Sequence, residues 1–292
     1  MIMSFRTVVI TNQSKISYKN RFLVVRQDID EKYIHLSEID TIIVDSISVS
    51  ISSYLLKELV SNKINIIFCD EKHNPFGELK GFYSKYNSSR KIINQSKWLP
   101  KTKDLLWEKI IRNKILNQAK LLNKIGFKEY DLLINYVNDI KIGDKTNREG
   151  HAAKVYFNAL FGKKFIRNHD DSINSALNYG YAVLLSTINK EVVNNGFLTQ
   201  LGIHHKNEFN DFNLSCDLME PFRPIIDEFV YFHQASEFDS NYKLSLIDLF
   251  NNKYIYNGKR YVLKDIIKFF VKNTLDFFDE DTEYRDFLYY EE

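Results

Sequence analysis

Cysteine, proline and glycine are scarce in this chain of 292 residues, which contains 2 Cys, 4 Pro and 10 Gly. The two cysteines, Cys69 and Cys216, are too few for a disulfide framework or a structural zinc cage, so we expect a reducing, cytoplasmic location. The low proline and glycine contents exclude collagen-like and low-complexity sequences. No apolar run approaches the roughly 18 residues of a membrane span, and residues 1–13 lack the pattern of a signal peptide. We therefore expect no membrane association.

The composition is that of a folded protein, but the charge is unevenly distributed. Hydrophobic residues make up 44% of the chain and charged residues 27%, which excludes extensive disorder, and the length favours two domains. The net charge is +2, yet residues 79–128 hold thirteen basic residues against two acidic ones, a local charge of +11. Residues 276–292 hold eight acidic residues against one basic residue, a local charge of −7. This asymmetry indicates a polyanionic partner for the basic segment, whereas the acidic end also fits a solvated tail.

Aromatic residues are interleaved with the cations of this basic segment. Four cations are predicted to bind DNA: Lys85, Arg90, Lys91 and Lys97. Four aromatic residues lie among them: Phe82, Tyr83, Tyr86 and Trp98. Cations can follow phosphates while aromatic rings stack on exposed bases, which is how proteins hold single-stranded or frayed nucleic acid. The alternative is a lysine-rich helix face that contacts only solvent.

The hydrophobic pattern changes from strand-like to helical near residue 90. Short β-branched and aromatic runs predict strands at 5–10, 15–19, 21–26, 32–36, 40–45 and 64–69. Helical spacing predicts one helix at 49–62, and the sequence NPFG (74–77) predicts a turn. Further helices are predicted from Pro100 onward, at 130–140, 148–161, 172–194, 217–238, 245–250 and 263–278, with a small hairpin at 253–261.

This pattern predicts an α+β fold with three parts. A small β-rich domain covers 1–80, a basic linker covers 81–100 and a larger all-α domain covers 101–292. The residues with the most distinctive chemistry lie in the all-α part, which is therefore the expected catalytic domain.

Glu149 lies on a helical face that should be apolar. Ala153, Tyr156 and Leu160 follow it at +4, +7 and +11, on the same stripe. Removing an unpaired carboxylate from water costs several kcal/mol, so Glu149 must be protonated, paired with a cation or bound to a metal. The alternative is an edge position near the helix start, where the helix dipole favours an acid.

His205 ends the sequence LGIHH (201–205). If residues 198–205 form a short helix, His205 shares an apolar face with Leu198, Leu201 and Gly202. Glycine is unfavourable there by ~1 kcal/mol, and its missing side chain would let another group approach closely. The alternative is a hydrogen-bonded histidine of the core.

Glu220 lies in the segment DLMEPFRP (217–224). Asp217 and Glu220 are three residues apart and face the same way on a helix. The two prolines cannot donate to the carbonyls four residues earlier, so a helix that runs through them is kinked where its acids project. The alternative is an acidic first turn in which Arg223 pairs with Glu220 or Asp227.

Two carboxylates and one imidazole, from Glu149, Glu220 and His205, would form a mixed oxygen and nitrogen site. This donor set suits Mg²⁺ or Mn²⁺ better than zinc. A divalent ion beside a phosphodiester polarises the phosphoryl oxygen, and a 3′-hydroxyl in place of water turns hydrolysis into strand transfer. The spacings, 56 residues from Glu149 to His205 and 15 more to Glu220, match no short motif.

These segments resemble the Cas1 family of CRISPR-associated integrases over essentially the whole length. The resemblance rests on the β-rich start and on NREG (147–150), LNYGY (177–181), LGIHH (201–205) and DLMEPFRP (217–224). It implies that the family's catalytic, metal-binding triad of Glu, His and Asp or Glu falls on Glu149, His205 and Glu220, with Mg²⁺ or Mn²⁺ as the metal. His204 is a competing candidate, and Asp217 matches a supporting acidic position. The compact length and the EPFRP run are most similar to members that accompany a single large effector nuclease.

The resemblance implies an enzyme that inserts captured foreign DNA into a CRISPR array. That DNA is a duplex with short 3′ single-stranded ends, and each 3′-hydroxyl attacks a phosphodiester at one end of a CRISPR repeat. The resemblance also implies a homodimer, with dimerisation and partner contacts made by domain 1–80, and two homodimers that clamp a dimer of the small Cas2 family protein. The effector nuclease of the same system is a further candidate partner.

Two other functions fit parts of the sequence. His169-Asp170, with His151 upstream, supplies the dipeptide of HD-type metal phosphohydrolases, although no matching downstream aspartate can be singled out. A non-catalytic DNA-binding scaffold would use the basic segment alone. Substitution of Glu149 separates these possibilities, because it should leave an HD-type enzyme active.

Overall fold

The chain begins with a region rich in strands and continues with a region rich in helices, as the change of hydrophobic period predicts. The protein is described by a computed structural model, which covers residues 6–71, 73–79, 81, 87–167, 169–233 and 238–279. The chain divides into two units, Met1–Ser84 and Lys85–Glu292. Strands dominate the first unit and helices dominate the second, so the predicted α+β class is confirmed. No helix in the covered ranges is long and apolar enough to cross a membrane.

The described residues of the first unit form two four-stranded sheets, one α-helix and a 3-10 turn at Leu36–Glu38. Its elements are β1 (Arg6–Ile10), β2 (Ser14–Lys19), β3 (Phe22–Gln27), β4 (Asp30–His35), β5 (Ile39–Val44), β6 (Val49–Ile51), α1 (Ser53–Ser61), β7 (Asn65–Cys69) and β8 (Pro75–Glu78). One sheet has the order β1-β5-β7-β8, in which the first three strands are parallel. The other has the order β4-β3-β2-β6, in which β6 runs parallel to β2. Apolar residues of both sheets and of α1, such as Leu23, Ile42 and Leu55, share one buried core.

Two predictions for this unit are wrong. Residues 49–62 are not one helix, because Val49–Ile51 pairs with β2 and Ser52 then caps α1 by accepting the N–H of Leu55. The turn expected at 74–77 overlaps β8, which is antiparallel to β7. Pro75 is tolerated because it begins an edge strand, where its missing N–H is not needed by a neighbour.

The second unit contains α2 (Ser88–Ser96), α3 (Pro100–Ile125), α4 (Glu129–Asn138), α5 (Arg148–Phe161), α6 (Ser172–Asn194), α7 (Asn213–Met219), α8 (Arg223–Phe232), α9 (Ser240–Asp248) and α10 (Leu263–Asp279). The predicted hairpin forms between β9 (Lys253–Tyr256) and β10 (Lys259–Val262). Helix α3 starts with proline at its first turn and ends at Gly126, whose φ of 93° is the left-handed conformation of a helix cap. It packs against α4, α5, α7 and α8, so α3 is the element around which the site residues are placed.

The segment 81–100, expected to be a linker, contains helix α2 of the second unit. Gln95 on this helix is buried, and its side-chain amide binds the backbone of Leu198 and Leu201 at 2.8–3.0 Å. The basic composition suggests a solvated connection, but the hydrogen bonds of Gln95 tie this helix to the loop that follows α6.

Residues 198–205, expected to be a short helix, form an irregular loop. The amides of this loop bind the side chain of Asp217 instead of helical carbonyls. The predicted kink near the prolines of 217–224 is confirmed, because a 3-10 turn at Glu220–Phe222 separates α7 from α8.

Candidate active site

Glu149 is held in the first turn of α5 by two side chains that precede it. Asn147 has a φ of 51°, and its Oδ1 accepts the N–H of Gly150. The buried carboxylate of Asp144 accepts the N–H groups of Arg148 and Glu149 at 2.8 and 2.9 Å. These bonds satisfy amides that a helix start leaves without partners, and they fix the direction in which α5 begins.

The carboxylates of Glu149 and Glu220 meet at one lysine of α3. Lys114 Nζ lies 2.6 Å from Glu149 Oε1 and 2.5 Å from Glu220 Oε2. The side chains of Lys114 and Glu220 are 9% and 4% exposed, and that of Glu149 is 27% exposed. Burial lowers the pKa of Lys114, but Glu220 and Glu149 raise it by more, so the lysine carries its charge.

Glu220 is positioned by the 3-10 turn and by a second cation. Arg223 Nε donates to Glu220 Oε1 at 2.9 Å, and Asn117 Nδ2 of α3 donates to the carbonyl of Pro221 at 2.8 Å. Glu220 Oε2 is buried and has no hydrogen bond of good direction, although it lies close to Lys114. Burial raises the pKa of Glu220, and the charges of Arg223 and Lys114 outweigh burial, so the net shift is downward and the acid is ionised.

The loop 202–205 wraps around the carboxylate of Asp217, which is fully buried. Its Oδ2 accepts the N–H groups of Ile203 and His204 at 2.6 and 2.9 Å. Its Oδ1 accepts the N–H of His205 at 3.2 Å and lies 2.6 Å from His205 Nδ1. With the proton on Nδ1, the ring nitrogen Nε2 keeps its lone pair, which is how carboxylates orient metal-binding histidines. The hydrogen bond that His205 donates to Asp217 raises the pKa of His205, against the opposing effect of burial.

Gly202 allows this loop to close on Asp217. A Cβ atom at position 202 would lie 2.4 Å from the carbonyl oxygen of His205 and 2.9 Å from Asp217 Oδ2. A cleft of about 350 Å³ opens beside the loop, and its lining includes His205, Lys103 and Lys206. The lining also includes Glu208 and Asp211, which balance the two lysines, and His205 can be reached from this cleft.

The structure brings Glu149 and Glu220 together, but it does not gather all three predicted ligands into one coordination sphere. Within the covered ranges, no group of three or more His, Cys, Asp or Glu side chains is arranged to hold a metal ion. The donor chemistry nevertheless fits a divalent cation. The two carboxylates already share one cation, and Glu220 Oε2 has no hydrogen bond. The charges of both acids also act on His205.

His204, the competing candidate, packs against an aromatic ring. Its imidazole stacks on Trp107 with ring centroids 4.3 Å apart and an interplanar angle of 2°. His205 lies edge-on to the same indole at 5.7 Å. Asp217 Oδ1 contacts the ring of His205, whereas His204 reaches Asp217 through its backbone N–H.

The predicted DNA-binding residues divide into two groups. Arg90, Lys91 and Lys97 lie on α2 or directly after it, and Arg90 and Lys97 are exposed. Lys85 lies outside the described residues, as do Phe82, Tyr83 and Tyr86. Lys91 Nζ lies 4.7 Å from the ring centroid of Phe197. Trp98, expected to stack on bases, instead stacks on Phe278 with centroids 3.7 Å apart.

The residues of the HD-type alternative do not form a site. His169 and Asp170 are exposed in the connection between α5 and α6. His151 is exposed on α5, where its ring lies 6.1 Å from Tyr136. None of the three belongs to a metal-holding group among the residues that the structure covers.

Three residues of this site were not predicted from the sequence: Lys114, Asp144 and Asn117. Lys114 could have been found, because it lies four residues after Ile110 and three after Ile111, on the apolar face of α3. Asp144 accepts backbone N–H groups at the start of α5, and Asn117 donates to the carbonyl of Pro221, which is far along the chain. The spacing of residues in the sequence does not reveal such contacts.

Solved structures share the fold of this chain. The chain superposes on a chain of the Cas6-RT-Cas1–Cas2 complex with a TM-score of 0.74 and 18% identity, over 98% of this chain and 36% of that one. It superposes on a casposase bound to integration product with a TM-score of 0.71 and 19% identity, over 98% and 94% of the two chains. A β-rich domain followed by a helical domain is thus a fold shared with casposases and with a Cas1–Cas2 assembly.

Sequence comparison then gives the family. The family described as CRISPR associated protein Cas1 matches residues 7–237. The CRISPR-associated endonuclease Cas1 of Neisseria meningitidis serogroup C (strain 8013) is 36% identical over 230 residues, which cover 77% of this chain and 74% of that relative. The chain belongs to the Cas1 family, and the resemblance in its sequence is confirmed.

Proposed function

We propose that this chain is a divalent-metal-dependent DNA strand-transfer enzyme that inserts foreign DNA into a CRISPR array. The observation that carries the proposal is the pair of acids, Glu149 and Glu220, that share one cation in a largely buried site of the helical unit. The relative from Neisseria is named an endonuclease, and the casposase of the same fold is bound to an integration product. Both support DNA cleavage and joining as the chemistry of this site.

Glu149, Glu220 and His205 would hold the metal, and their oxygen and nitrogen donors suit Mg²⁺ or Mn²⁺. A bound divalent cation supplies Lewis-acid stabilisation of a phosphoryl oxygen. Asp217 holds His205 in one tautomer, and Arg223 holds one oxygen of Glu220. These two partners keep the donors oriented before DNA arrives.

The reaction is a transesterification at phosphorus. The oxygen of an incoming DNA 3′-hydroxyl forms a bond to a phosphorus of the target strand, while the bond from that phosphorus to its original 3′ oxygen breaks. The attacking hydroxyl loses one proton and the leaving oxygen gains one, so the step needs no other reactant. Water in place of the 3′-hydroxyl gives hydrolysis, which is the endonuclease reaction.

The proposal includes the partners that the family resemblance implies. The DNA substrates are a duplex spacer precursor with 3′ overhangs and the CRISPR repeat. The protein forms a homodimer through its β-rich domain, and two homodimers hold a dimer of the Cas2 family, with the effector nuclease as a further partner. The shared fold of the Cas6-RT-Cas1–Cas2 complex supports the Cas2 partner. Arg90 and Lys97, which are exposed beside α2, would contact DNA phosphates, together with Lys85 and Lys91.

Three alanine variants test this function. Glu149→Ala, His205→Ala and Glu220→Ala should each reduce Mn²⁺-dependent strand transfer by about 100-fold or more, the scale expected when a group that stabilises transition-state charge is lost. DNA binding, measured by gel shift, should change little. Near wild-type transfer in any variant would remove that residue from the site.

The exposed His169 supplies a matched control. His169→Ala should retain full transfer, and its loss of activity would favour the HD-type alternative instead. A wild-type protein that binds DNA but neither cleaves nor joins it with Mn²⁺ would support the non-catalytic scaffold.

A further inference from the structure

Lys114 contacts two of the three proposed metal ligands, although the proposed reaction does not use it. Its ammonium nitrogen lies 2.5–2.6 Å from one oxygen of Glu149 and one of Glu220. The lysine comes from the middle of α3, whereas the acids come from the start of α5 and from the turn between α7 and α8. Three separate elements therefore converge on one charged group that is 9% exposed.

The space between these two carboxylates is a cation position. Divalent cations lie about 2.0–2.6 Å from carboxylate oxygens, which is close to the distances that Lys114 Nζ makes. An ammonium group and a metal ion cannot both occupy the space between the same two oxygens. Glu220 Oε2 lies 2.5 Å from the ammonium group, so opposite charge holds the two together, and another cation can supply the same attraction.

The charges of the site also indicate that a cation is needed between the two carboxylates. Glu149 and Glu220 carry two negative charges, and Lys114 together with Arg223 supplies two positive charges. Without Lys114, the two acids would face each other with one compensating charge, and one of them is almost completely buried. Buried charges that lose their partner are strongly unfavourable, so the lysine keeps the two carboxylates together when no metal is bound.

We propose that Lys114 is an internal counter-ion that occupies the metal position until a divalent cation displaces it. This inference rests on the proposed function, because it concerns the ligands of the proposed metal. The four-carbon stem of lysine allows its ammonium group to leave by side-chain rotation alone. Metal binding must then replace the lysine contacts, so Lys114 lowers the apparent affinity for metal and keeps the site closed at low metal concentration.

The test is an equilibrium titration of the full chain with Mn²⁺, with free Mn²⁺ measured by electron paramagnetic resonance. Lys114→Met removes the charge and keeps an unbranched, flexible side chain that is one atom shorter. It should bind Mn²⁺ about tenfold more tightly than the wild type, which corresponds to about 1.4 kcal/mol. The matched control is Lys163→Met, which removes one exposed positive charge elsewhere in the helical unit and should leave the affinity unchanged. The melting temperature of Lys114→Met should lie below that of the wild type without metal, and the difference should shrink with saturating Mn²⁺.

Two further variants separate failure of this inference from failure of the proposed function. Glu220→Gln should weaken Mn²⁺ binding strongly, and if it does not, the proposed metal site and the role of Lys114 are both wrong. If the wild type binds Mn²⁺ through Glu220 but Lys114→Met binds it equally or less tightly, only the role of Lys114 is overturned. Should Lys114→Met fold only with Mn²⁺, that result supports the proposal, and Lys114→Gln then supplies the affinity comparison.

Discussion

Replacement of Asp217 with asparagine tests how the histidine loop is held. The carboxylate of Asp217 accepts three backbone N–H groups and contacts His205 Nδ1, over distances of 2.6–3.2 Å. Asparagine has one acceptor oxygen, and its NH₂ group would face donors on the other side. One or two buried donors therefore lose their acceptor, and each such loss costs about 1–3 kcal/mol, so we expect a total of about 2–4 kcal/mol.

Thermal unfolding followed by circular dichroism measures this effect. For a unit of this size, 1 kcal/mol shifts the melting temperature by about 2–4 °C, so Asp217→Asn should melt about 5–15 °C below the wild type. Strand transfer should fall by about 10–100-fold, because the partner that orients His205 is weakened. The pKa of His205, followed by NMR, should move down toward its ordinary value, since the hydrogen bond that His205 donates to Asp217 raises it.

The exposed Asp170 provides the control for this variant. Asp170→Asn should melt and react like the wild type, because its side chain is in solvent. A melting temperature for Asp217→Asn within 1–2 °C of the wild type, taken as the scale of a surface substitution, would refute the reasoning, and so would unchanged strand transfer.

Two further predictions concern a buried acid and the basic segment. Burial raises the pKa of Asp227 to about 6, against the hydrogen bonds it accepts from Tyr181 and Tyr156. Because the fold favours the neutral acid, Asp227 contributes fully to the free energy of unfolding below about pH 4. This contribution is lost as the pH rises through about 6. A pKa shift of about 2 corresponds to about 3 kcal/mol. Asp227→Asn should remove this dependence in urea unfolding measured from pH 4 to 7, and an unchanged profile would show that Asp227 does not cause it. Wild-type DNA affinity should fall steeply with salt, and the double variant Arg90→Gln, Lys97→Gln should reduce the slope of log affinity against log salt by about 2, whereas a flat wild-type response would exclude the basic segment as a phosphate-binding surface.

The spacing of hydrophobic residues predicts a helix of the second unit well where that helix has a regular apolar stripe of its own. The bounds of α5 and α6 match the predicted 148–161 and 172–194. The prediction failed at 198–205, because the amides there bind a side chain twelve or more residues away in sequence, at Asp217. It failed again at α2, whose buried residue is the polar Gln95 and which has no fully buried hydrophobic stripe. Both failures come from polar contacts between distant segments, which no local period contains.

Residue patterns in the sequence predict only part of the candidate site. Glu149 was correctly expected to need a partner, because a carboxylate lay on an apolar stripe, and the partner in the structure is Lys114. Lys114 is likewise a charged residue on the apolar face of its helix, α3. His205 and Glu220 could not be chosen over their structural alternatives by spacing, and the family resemblance made that choice. The sequence analysis also named Asp217 and Arg223, and the structure shows their contacts: Asp217 with His205 and Arg223 with Glu220.

Anomalous diffraction from a crystal soaked in Mn²⁺ tests the central claim most directly. One peak is predicted about 2.0–2.5 Å from carboxylate oxygens of Glu149 and Glu220 and from Nε2 of His205, with the ammonium group of Lys114 moved out of the space between the acids. A well-occupied peak elsewhere, or no peak at these side chains under saturating Mn²⁺, would contradict the account.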